Sequence, residues 1–283
     1  MTTPTTTPAQ LTPDIWHLAF PVGHVYIVRL ADGSKDDSGG GGADRGADEG
    51  TGTDEGTGTD EGTATDEGTA TGGYALVDTA LPGSAPAILD GLAHIGARPK
   101  DLRQIVLTHS HADHMGSAAD LVAATGARVL AGALDAPAIR GTAPEPTPAL
   151  TGPEQALHES IRANLAESGT PPRRVAVDVE LHDGDTLDGW PEPVHVLHVP
   201  GHTPGAVALH LPSAGVLFPG DVIGEGEGRL VLGPFNVDRE QAIASFHRLA
   251  ALKPGTLLVS HGRPVLRDAH AALAAATPET DWL

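Results

Sequence analysis

The chain has 283 residues, of which 40% are hydrophobic and 19% charged, and this composition can build a full hydrophobic core. Its 37 acidic and 17 basic side chains give a formal net charge of −20, which excludes nucleic acid as a partner because phosphates would be repelled. The sequence has no cysteine, so disulfides, thiolate metal sites and cysteine nucleophiles are excluded. Any metal must be held by His, Asp or Glu.

The N-terminal sequence carries no sign of a targeting or membrane segment. It reads MTTPTTTPAQ, without a basic region or an apolar segment, and no stretch of the chain approaches 18 uninterrupted apolar residues. We therefore expect a soluble, cytoplasmic protein that does not bind membranes. Base rates for soluble enzymes favour a monomer or a homodimer.

The first predicted strands flank an unusual insertion. Apolar segments at 14–30, with a turn at 21–23, and at 74–78 read as strands. Between them, residues 32–73 contain four hexamers of the form D-E-G-T-(G/A)-T and hold 12 acidic against two basic residues. This low-complexity segment is expected to be a disordered acidic loop within a single domain spanning residues 1–283. The flanking strands can still pair, because the cost of closing a loop grows only logarithmically with its length.

The remaining elements predict an α/β protein. Helical and strand-like segments alternate after the insertion, and the second half is richer in strands. The predicted helices are 84–95, 116–125 and 238–252, and the predicted strands are 104–108, 128–130, 175–181, 194–199, 206–211, 216–218 and 256–259. This order favours two sheets covered on the outside by helices. Residues 144–169 are expected to be a surface connection or flap, with a short helical patch near His158.

One short segment concentrates potential metal ligands. Residues 107–116 read L-T-H-S-H-A-D-H-M-G and bring together His109, His111, Asp113 and His114. A strand that runs into a turn points His109 and His111 in the same direction and lets the next two ligands curl towards a second point. One loop could therefore serve two metals.

Three later strand ends have the same character. Each apolar strand is followed by a glycine-flanked ionisable residue: V-P-G-H-T-P-G at His202, L-F-P-G-D-V at Asp221 and L-V-S-H-G at His261. Glycines at such positions allow close backbone approach and unusual dihedral angles. Recurrence on three strand ends favours ligation over isolated surface histidines.

With H-x-H-x-D-H followed by a later His, Asp and His, the sequence resembles the metallo-β-lactamase-fold hydrolase superfamily over almost its whole length outside the insertion. The resemblance implies an αβ/βα four-layer sandwich with a binuclear site at one edge of its sheets. It implies that His109, His111 and His202 hold one metal, that Asp113, His114 and His261 hold the second, and that Asp221 bridges both. Asp78, in L-V-D-T-A, would orient a ligand from behind, with Ala80 standing at the family's usual glycine.

The ligand types predict hydrolytic chemistry. Imidazole and carboxylate ligands suit two Zn²⁺ ions, with Fe or Mn as alternatives. Two metals about 3.5 to 4 Å apart can share a hydroxide that forms near neutral pH. We expect this hydroxide to attack the carbonyl of a small ester, thioester or lactone, with Asp113 and Asp221 as the catalytic carboxylates and Asp113 as the proton acceptor.

Several alternatives remain open. Within the resemblance, the bridging Asp221 and the lack of cysteine favour a glyoxalase II-like or lactonase-like branch over true β-lactamases. Only 22 residues follow His261, which is short for a glutathione-binding C-terminal region. The two other readings are a mononuclear-iron persulfide dioxygenase-like enzyme and a non-catalytic metal-binding protein.

Two further positions are singled out near the expected site. His24 follows the turn at 21–23 and could contact substrate at the rim. The segment G-E-G-E-G at 224–228 follows Asp221 and reads as a flexible lid with solvated glutamates.

Overall fold

The fold is taken from a computed structural model that describes residues 7–31, 72–168, 171–187 and 189–282. Residues 32–71, nearly the whole of the acidic insertion, lie outside the described residues, so its disorder stays a prediction. Among the described residues, no helix has both the length and the apolar character needed to cross a membrane.

The first sheet has seven strands in chain order. They are β1 (Ala9–Thr12), β2 (Ile15–Leu18), β3 (Val25–Arg29), β4 (Tyr74–Val77), β5 (Leu102–Leu107), β6 (Arg128–Gly132) and β7 (Val179–Leu181). Neighbouring strands are antiparallel from β1 to β4 and parallel from β4 to β7. The helices of this half are α1 (Ala85–His94), α2 (Ala112–Met115), α3 (Ala118–Thr125), α4 (Ala136–Arg140) and α5 (Gly152–Ser168). Parallel strands joined through helices are the βαβ arrangement that the sequence predicts.

The second sheet and a separate hairpin come from the C-terminal half. The strands of this half are β8 (Thr186–Leu187), β9 (Val194–His198), β10 (Val207–Leu211), β11 (Val216–Phe218), β12 (Ile223–Gly226), β13 (Arg229–Leu232) and β14 (Thr256–Leu257). Five of them form a sheet in the order β14-β11-β10-β9-β8, whereas β12 and β13, among the described strands, pair only with each other. The helices here are α6 (Arg239–Ala250) and α7 (Ala269–Ala274).

Three hydrophobic cores alternate with the sheets. One lies between the first sheet and its helices and contains Leu76 and Ile88, and the middle one joins the two sheets through Val77 and Phe218. The third packs Phe246 of α6 against the second sheet. Successive residues of β4 enter opposite cores because side chains alternate along a strand. Three cores require four layers, so the predicted αβ/βα sandwich is confirmed.

The strands that flank the insertion are direct neighbours. β3 and β4 pair antiparallel from Tyr26 opposite Val77 to Arg29 opposite Tyr74. The amide of Leu30 extends the ladder with a 2.8 Å hydrogen bond to the carbonyl oxygen of Gly73. The prediction that the two strands pair across the insertion is therefore confirmed, and the pairing already includes the last residue of the segment predicted to be disordered.

A predicted helix and a predicted strand differ clearly in extent from the structure. The short helical patch near His158 is in fact the 17-residue helix α5. Its mostly polar sequence has no clear apolar stripe to reveal it, but the segment T-G-P-E is a capping signal, and the Glu154 carboxylate indeed accepts a 2.7 Å hydrogen bond from the amide of Thr151. The predicted strand 175–181 is reduced to Val179–Leu181, while Val175 and Val177 pack into the core between the first sheet and its helices.

The predicted lid at 224–228 is a regular hairpin instead. Glu227 and Gly228 form the two-residue turn between β12 and β13, with φ angles of 52° and 80°, as a type I′ turn requires. Glu225 is not simply solvated, because its carboxylate accepts hydrogen bonds from the amides of Gly228 at 2.7 Å and Arg263 at 2.6 Å. These bonds tie the hairpin to the chain that follows His261.

Candidate metal centre

The seven predicted ligands meet at one edge of the two sheets. The segment that follows β5 carries His109, His111, Asp113 and His114, and the end of β11 leads into Asp221. His202 lies in the connection between β9 and β10, and His261 follows β14. Strands of both sheets therefore present their ends at the same place, which is how residues distant in sequence become neighbours.

Three imidazoles form one side of this cluster, called here the three-His side. Nδ1 of His111 lies 3.0 Å from Nε2 of His109 and 3.0 Å from Nε2 of His202, and the last two atoms are 3.2 Å apart. His109 and His202 are almost completely buried. Three ring nitrogens thus converge on one point.

The other side combines two imidazoles with a carboxylate and is called here the Asp–His side. Nε2 of His261 lies 3.2 Å from Oδ2 of Asp113 and 3.3 Å from Nε2 of His114. His261 and Asp113 keep 35% and 23% of their side-chain surface exposed. The cluster therefore opens to solvent on this side.

Asp221 lies between the two sides. Its Oδ1 is 3.3 Å from Nε2 of His114, and its Oδ2 is 3.2 Å from Nε2 of His261 and 3.6 Å from Nε2 of His202. One carboxylate therefore faces ligands of both sides, the placement that a bridging ligand needs.

The two sides differ in proton affinity. Burial, reinforced by the neighbouring imidazoles, lowers the pKa of His109 well below its ordinary value and that of His202 to about 3. Burial also opposes the cation at His114 and His261, but Asp221 and Asp113 outweigh it. They raise the pKa of His114 well above its ordinary value and that of His261 to about 10.

This donor set fits metal ions better than a hydrogen-bond network. Three ring nitrogens within 3.2 Å of one another cannot satisfy one another with protons while burial keeps the rings neutral. A tetrahedral ion with metal–nitrogen bonds of about 2.0–2.1 Å would separate its ligands by about 3.3 Å. Within the part of the chain that the structure describes, the buried Oδ1 of Asp221 has no hydrogen-bond partner, as expected of an atom placed to bind an ion. The groupings within coordination distance are His109–His111–His202, His109–His114–Asp221 and Asp113–His114–His261.

Asp78 lies behind His114, as the resemblance implies. Its Oδ2 is 2.9 Å from Nδ1 of His114, and its Oδ1 accepts a 2.8 Å hydrogen bond from the amide of Thr108. A carboxylate on the far nitrogen of an imidazole fixes the tautomer that turns Nε2 towards a metal. Ala80 adopts a left-handed φ of 53°, a region that the glycine expected here from the resemblance would adopt without strain.

His24 lies beside the His261 loop, but its ring is engaged by the protein. Its Nε2 is 2.7 Å from the carbonyl oxygen of Gly262, and its backbone amide donates a 2.8 Å hydrogen bond to the carbonyl of Ser260. The structure thus gives His24 a contact with the backbone around a ligand, and its role at the substrate rim stays a prediction.

Two acidic residues near the cluster were missed by the sequence reasoning. Asp135 follows β6 and binds the loops that carry His109, His111 and His202, and its position after an apolar strand was an available signal. Glu145 lies 3.7 Å from Nε2 of His111. Its surroundings, A-P-E-P-T-P, give no sign that the segment returns to the cluster.

Comparison with known proteins identifies relatives for much of the chain. The family model of the metallo-beta-lactamase superfamily matches residues 69–261. A hydroxyacylglutathione hydrolase of Fuscovulum blasticum is 35% identical over 187 residues, covering 66% of this chain and 56% of the relative. The probable metallo-hydrolase YflN of Bacillus subtilis is 28% identical and covers 68% and 76%. The chain spans about half the length of the hydroxyacylglutathione hydrolases that it matches.

Solved structures share the fold. The subclass B3 metallo-beta-lactamase BJP-1 of Bradyrhizobium japonicum superposes with a TM-score of 0.58 at 19% identity, covering 96% of this chain and 90% of that one. A beta-lactamase from Chitinophaga pinensis gives 0.59 at 17% identity, covering 95% and 89%. At these identities the likeness establishes the four-layer architecture alone.

Proposed function

Because this chain belongs to the metallo-β-lactamase superfamily, we propose that it is a binuclear metal-dependent hydrolase of small ester, thioester or lactone substrates. The observation that carries the proposal is the convergence of seven ligand side chains into overlapping groups of three. His109, His111 and His202 would hold one ion, Asp113, His114 and His261 the other, and Asp221 would lie between them. Zn²⁺ suits this donor set best.

The protein's own residues have separable tasks in this reaction. When bound, the metal pair supplies Lewis acidity and makes hydroxide available near neutral pH. Asp78 holds the His114 ring in one orientation through its Nδ1. Asp113 is partly exposed beside His261, so its carboxylate can accept a proton from the attacking water and pass it to solvent.

The choice of carbonyl substrates rests on the relatives and on a negative charge beside the three-His side. Relatives named hydroxyacylglutathione hydrolase cleave a thioester of glutathione by their name, whereas YflN is named only as a probable metallo-hydrolase. The carboxylate of Glu145 stands 3.7 Å from the outer nitrogen of His111, and a negative charge there disfavours anionic substrates. We therefore favour a small acyl compound, whose reacting carbonyl is uncharged, over a phosphodiester, whose reacting group carries a negative charge.

Metal content and a substrate panel test the proposal together. Protein purified without chelator should contain about two Zn²⁺ per chain and should hydrolyse at least one member of a panel of thioesters, lactones and esters. Asp221→Ala should lower the metal content and abolish hydrolysis. Asp90→Ala, on the exposed face of α1, is the matched control and should behave like the parent.

Two results would overturn the proposal. One iron per chain with oxygen consumption would assign the protein to the persulfide dioxygenase-like alternative. No bound metal after growth in zinc-supplemented medium, together with no hydrolysis, would remove the mechanism altogether.

A further inference from the structure

Asp135 is a buried carboxyl group whose side chain serves another part of the molecule than its own helix. It occupies the N-cap position of α4, yet its side chain makes no capping hydrogen bond there. Aspartate at an N-cap normally accepts a hydrogen bond from the first turn of its helix. The side chain is instead fully buried and turned towards the loops of the candidate metal centre.

Three donors converge on this carboxylate. Its Oδ2 accepts hydrogen bonds from the amide of Ser110 and from the hydroxyl of Thr203, both at 2.8 Å, and its Oδ1 accepts one from the amide of Gly205 at 2.7 Å. Every one of these donors belongs to a ligand-bearing loop. Burying a carboxyl group is costly unless its oxygens are hydrogen-bonded, so the three bonds account for its presence.

Two of the donors are direct chain neighbours of the histidines of the three-His side. Ser110 is the residue between His109 and His111, and Thr203 directly follows His202. One carboxylate therefore links the two chain segments that together carry all three imidazoles of the three-His side.

Glycines let these segments approach the end of β6 closely. A Cβ atom at Gly205 would lie 2.2 Å from the backbone nitrogen of Asp135, and one at Gly132 would lie 1.9 Å from the carbonyl oxygen of Gly205. Any side chain at either position would push the His202 loop away from the strand. The short distance between the loops is therefore built into the sequence at both positions.

We propose that Asp135 is a positioning residue that sets the spacing of His109, His111 and His202 and thereby the metal affinity of the three-His side. This inference rests on the proposed function, because it assigns Asp135 to one of the two metal positions. The residue touches neither metal nor substrate. It acts by holding two backbone segments at the separation at which their imidazole nitrogens lie 3.0–3.2 Å apart.

Metal titration of Asp135→Asn tests the inference. The amide has one acceptor oxygen in place of two, so either Gly205 or the pair Ser110 and Thr203 faces an NH₂ group. Chelator-stripped protein is titrated with Co²⁺ and followed by its visible absorption, and Zn²⁺ affinities are measured by competition. The parent should bind about two ions, and the variant should bind one of them about 10- to 100-fold more weakly, the usual loss when a partner of a metal ligand is removed.

Two controls separate positioning from general damage. Asp178→Asn makes the same substitution in another carboxylate that accepts a backbone hydrogen bond, 2.7 Å from the amide of Val129 at the opposite end of β6, and should leave both Co²⁺ affinities unchanged. Thr203→Val should weaken the binding of one Co²⁺ ion. Thr203→Ser, which keeps the hydroxyl, should bind both ions like the parent. The Thr203 pair decides the question if Asp135→Asn fails to fold.

The outcomes are distinct from those of the proposed function. Parent-like binding of both ions by Asp135→Asn and Thr203→Val would overturn the positioning role and leave the binuclear hydrolase intact. An equal loss of affinity for both ions would also overturn the positioning role, because the effect would not be specific to the three-His side. A parent protein that binds no Co²⁺ would overturn the proposed function itself.

Discussion

Histidines in this protein acquire different proton affinities from their immediate surroundings. His17 stacks on Tyr26 and meets the ring of His24 edge-on at 4.5 Å between centroids. Burial, with the neighbouring His24, lowers the pKa of His17 to about 4. In contrast to His261, His17 has no acidic neighbour among the described residues that offsets its burial. The protonation of each imidazole therefore follows from which charged groups share its pocket.

His17 should make the metal-free protein sensitive to acid. Between pH 6.5 and about 4 the unfolded chain binds a proton at this position that the folded chain does not, so stability falls as the pH decreases. His17→Gln should reduce that loss by up to about 2 kcal/mol, allowing for partial solvent screening. Urea unfolding at pH 7 and pH 4.5 in the presence of EDTA measures it. His94→Gln, on the exposed end of α1, is the control, and an equal effect from both variants would contradict the prediction.

Glu145 should determine which substrate charges are accepted. Its side chain is 43% exposed and 3.7 Å from Nε2 of His111. Glu145→Gln should raise kcat/KM for an anionic thioester about fivefold relative to a neutral one, since a substrate anion about 4 Å from the carboxylate would be repelled by about 1 kcal/mol in water. Glu159→Gln, exposed on α5, is the control. An unchanged ratio of the two kcat/KM values would show that Glu145 does not act on substrate charge.

Residue-level prediction from sequence is possible where a contact is local and not where it is tertiary. The H-x-H-x-D-H segment can be recognised from sequence, because its candidate ligands lie within six positions of one another. Asp135 and Glu145 cannot be recognised in this way, since their partners are brought to them by β10 and by the fold of the β5 end. The geometry of each contact depends on a loop approaching a strand end, and no spacing in the sequence encodes that.

At the level of elements, the glycine-rich composition of residues 224–228 led to the wrong prediction of a flexible lid, although the segment contains a regular turn. The segment G-E-G-E-G suggests flexibility, but the next four residues, R-L-V-L, pair back onto Ile223–Gly226 and make a hairpin. The available signal was the two-residue loop Glu227–Gly228, with its glycine, between two segments that can pair. Helix α5 shows the complementary case, because a polar helix without an apolar stripe is invisible to hydrophobic periodicity.

The hairpin turn offers a direct test of its conformation. Glu227 is exposed and has a φ of 52°, a region that asparagine tolerates better than glutamate. Glu227→Asn should raise the free energy of unfolding by about 0.5–1 kcal/mol, or the melting temperature by about 2–3 °C. Glu227→Ala removes the charge without favouring the left-handed region and should give no gain. A gain from alanine equal to that from asparagine would assign the effect to charge instead.

At the level of the whole molecule, the sheets and cores organise the site by stacking strand ends. The alternation of βαβ segments and the two groups of strands favoured two sheets covered by helices, and the family resemblance implied the four-layer sandwich. The order of the second sheet, β14-β11-β10-β9-β8, was not predictable, because the parallel pairing of β14 with β11 joins segments some 40 residues apart. That pairing is what brings His261 to the other candidate ligands.

The insertion should be dispensable for folding. β3 and β4 pair directly, and closing a loop of about 40 residues costs about 1–2 kcal/mol more than closing a turn of about six. Replacing residues 34–71 with a four-residue Gly/Asn turn should therefore raise the melting temperature by a few degrees and leave metal content unchanged. Replacing the same residues with an uncharged Gly/Ser segment of equal length is the control. A loss of metal or of folding in the shortened chain would show that the segment contributes contacts of its own.

The pairing of β3 with β4 also decides where a foreign domain could be accommodated. The insertion joins the strand at its Tyr74 end, whereas Asp78 and the ligands lie beyond Val77, so the four residues of β4 place about 13 Å of sheet between them. A fluorescent reporter spliced into this junction would lie away from the opening at His261 and Asp113. We expect such a fusion to report on folding in living cells while the hydrolytic site remains open to its substrate.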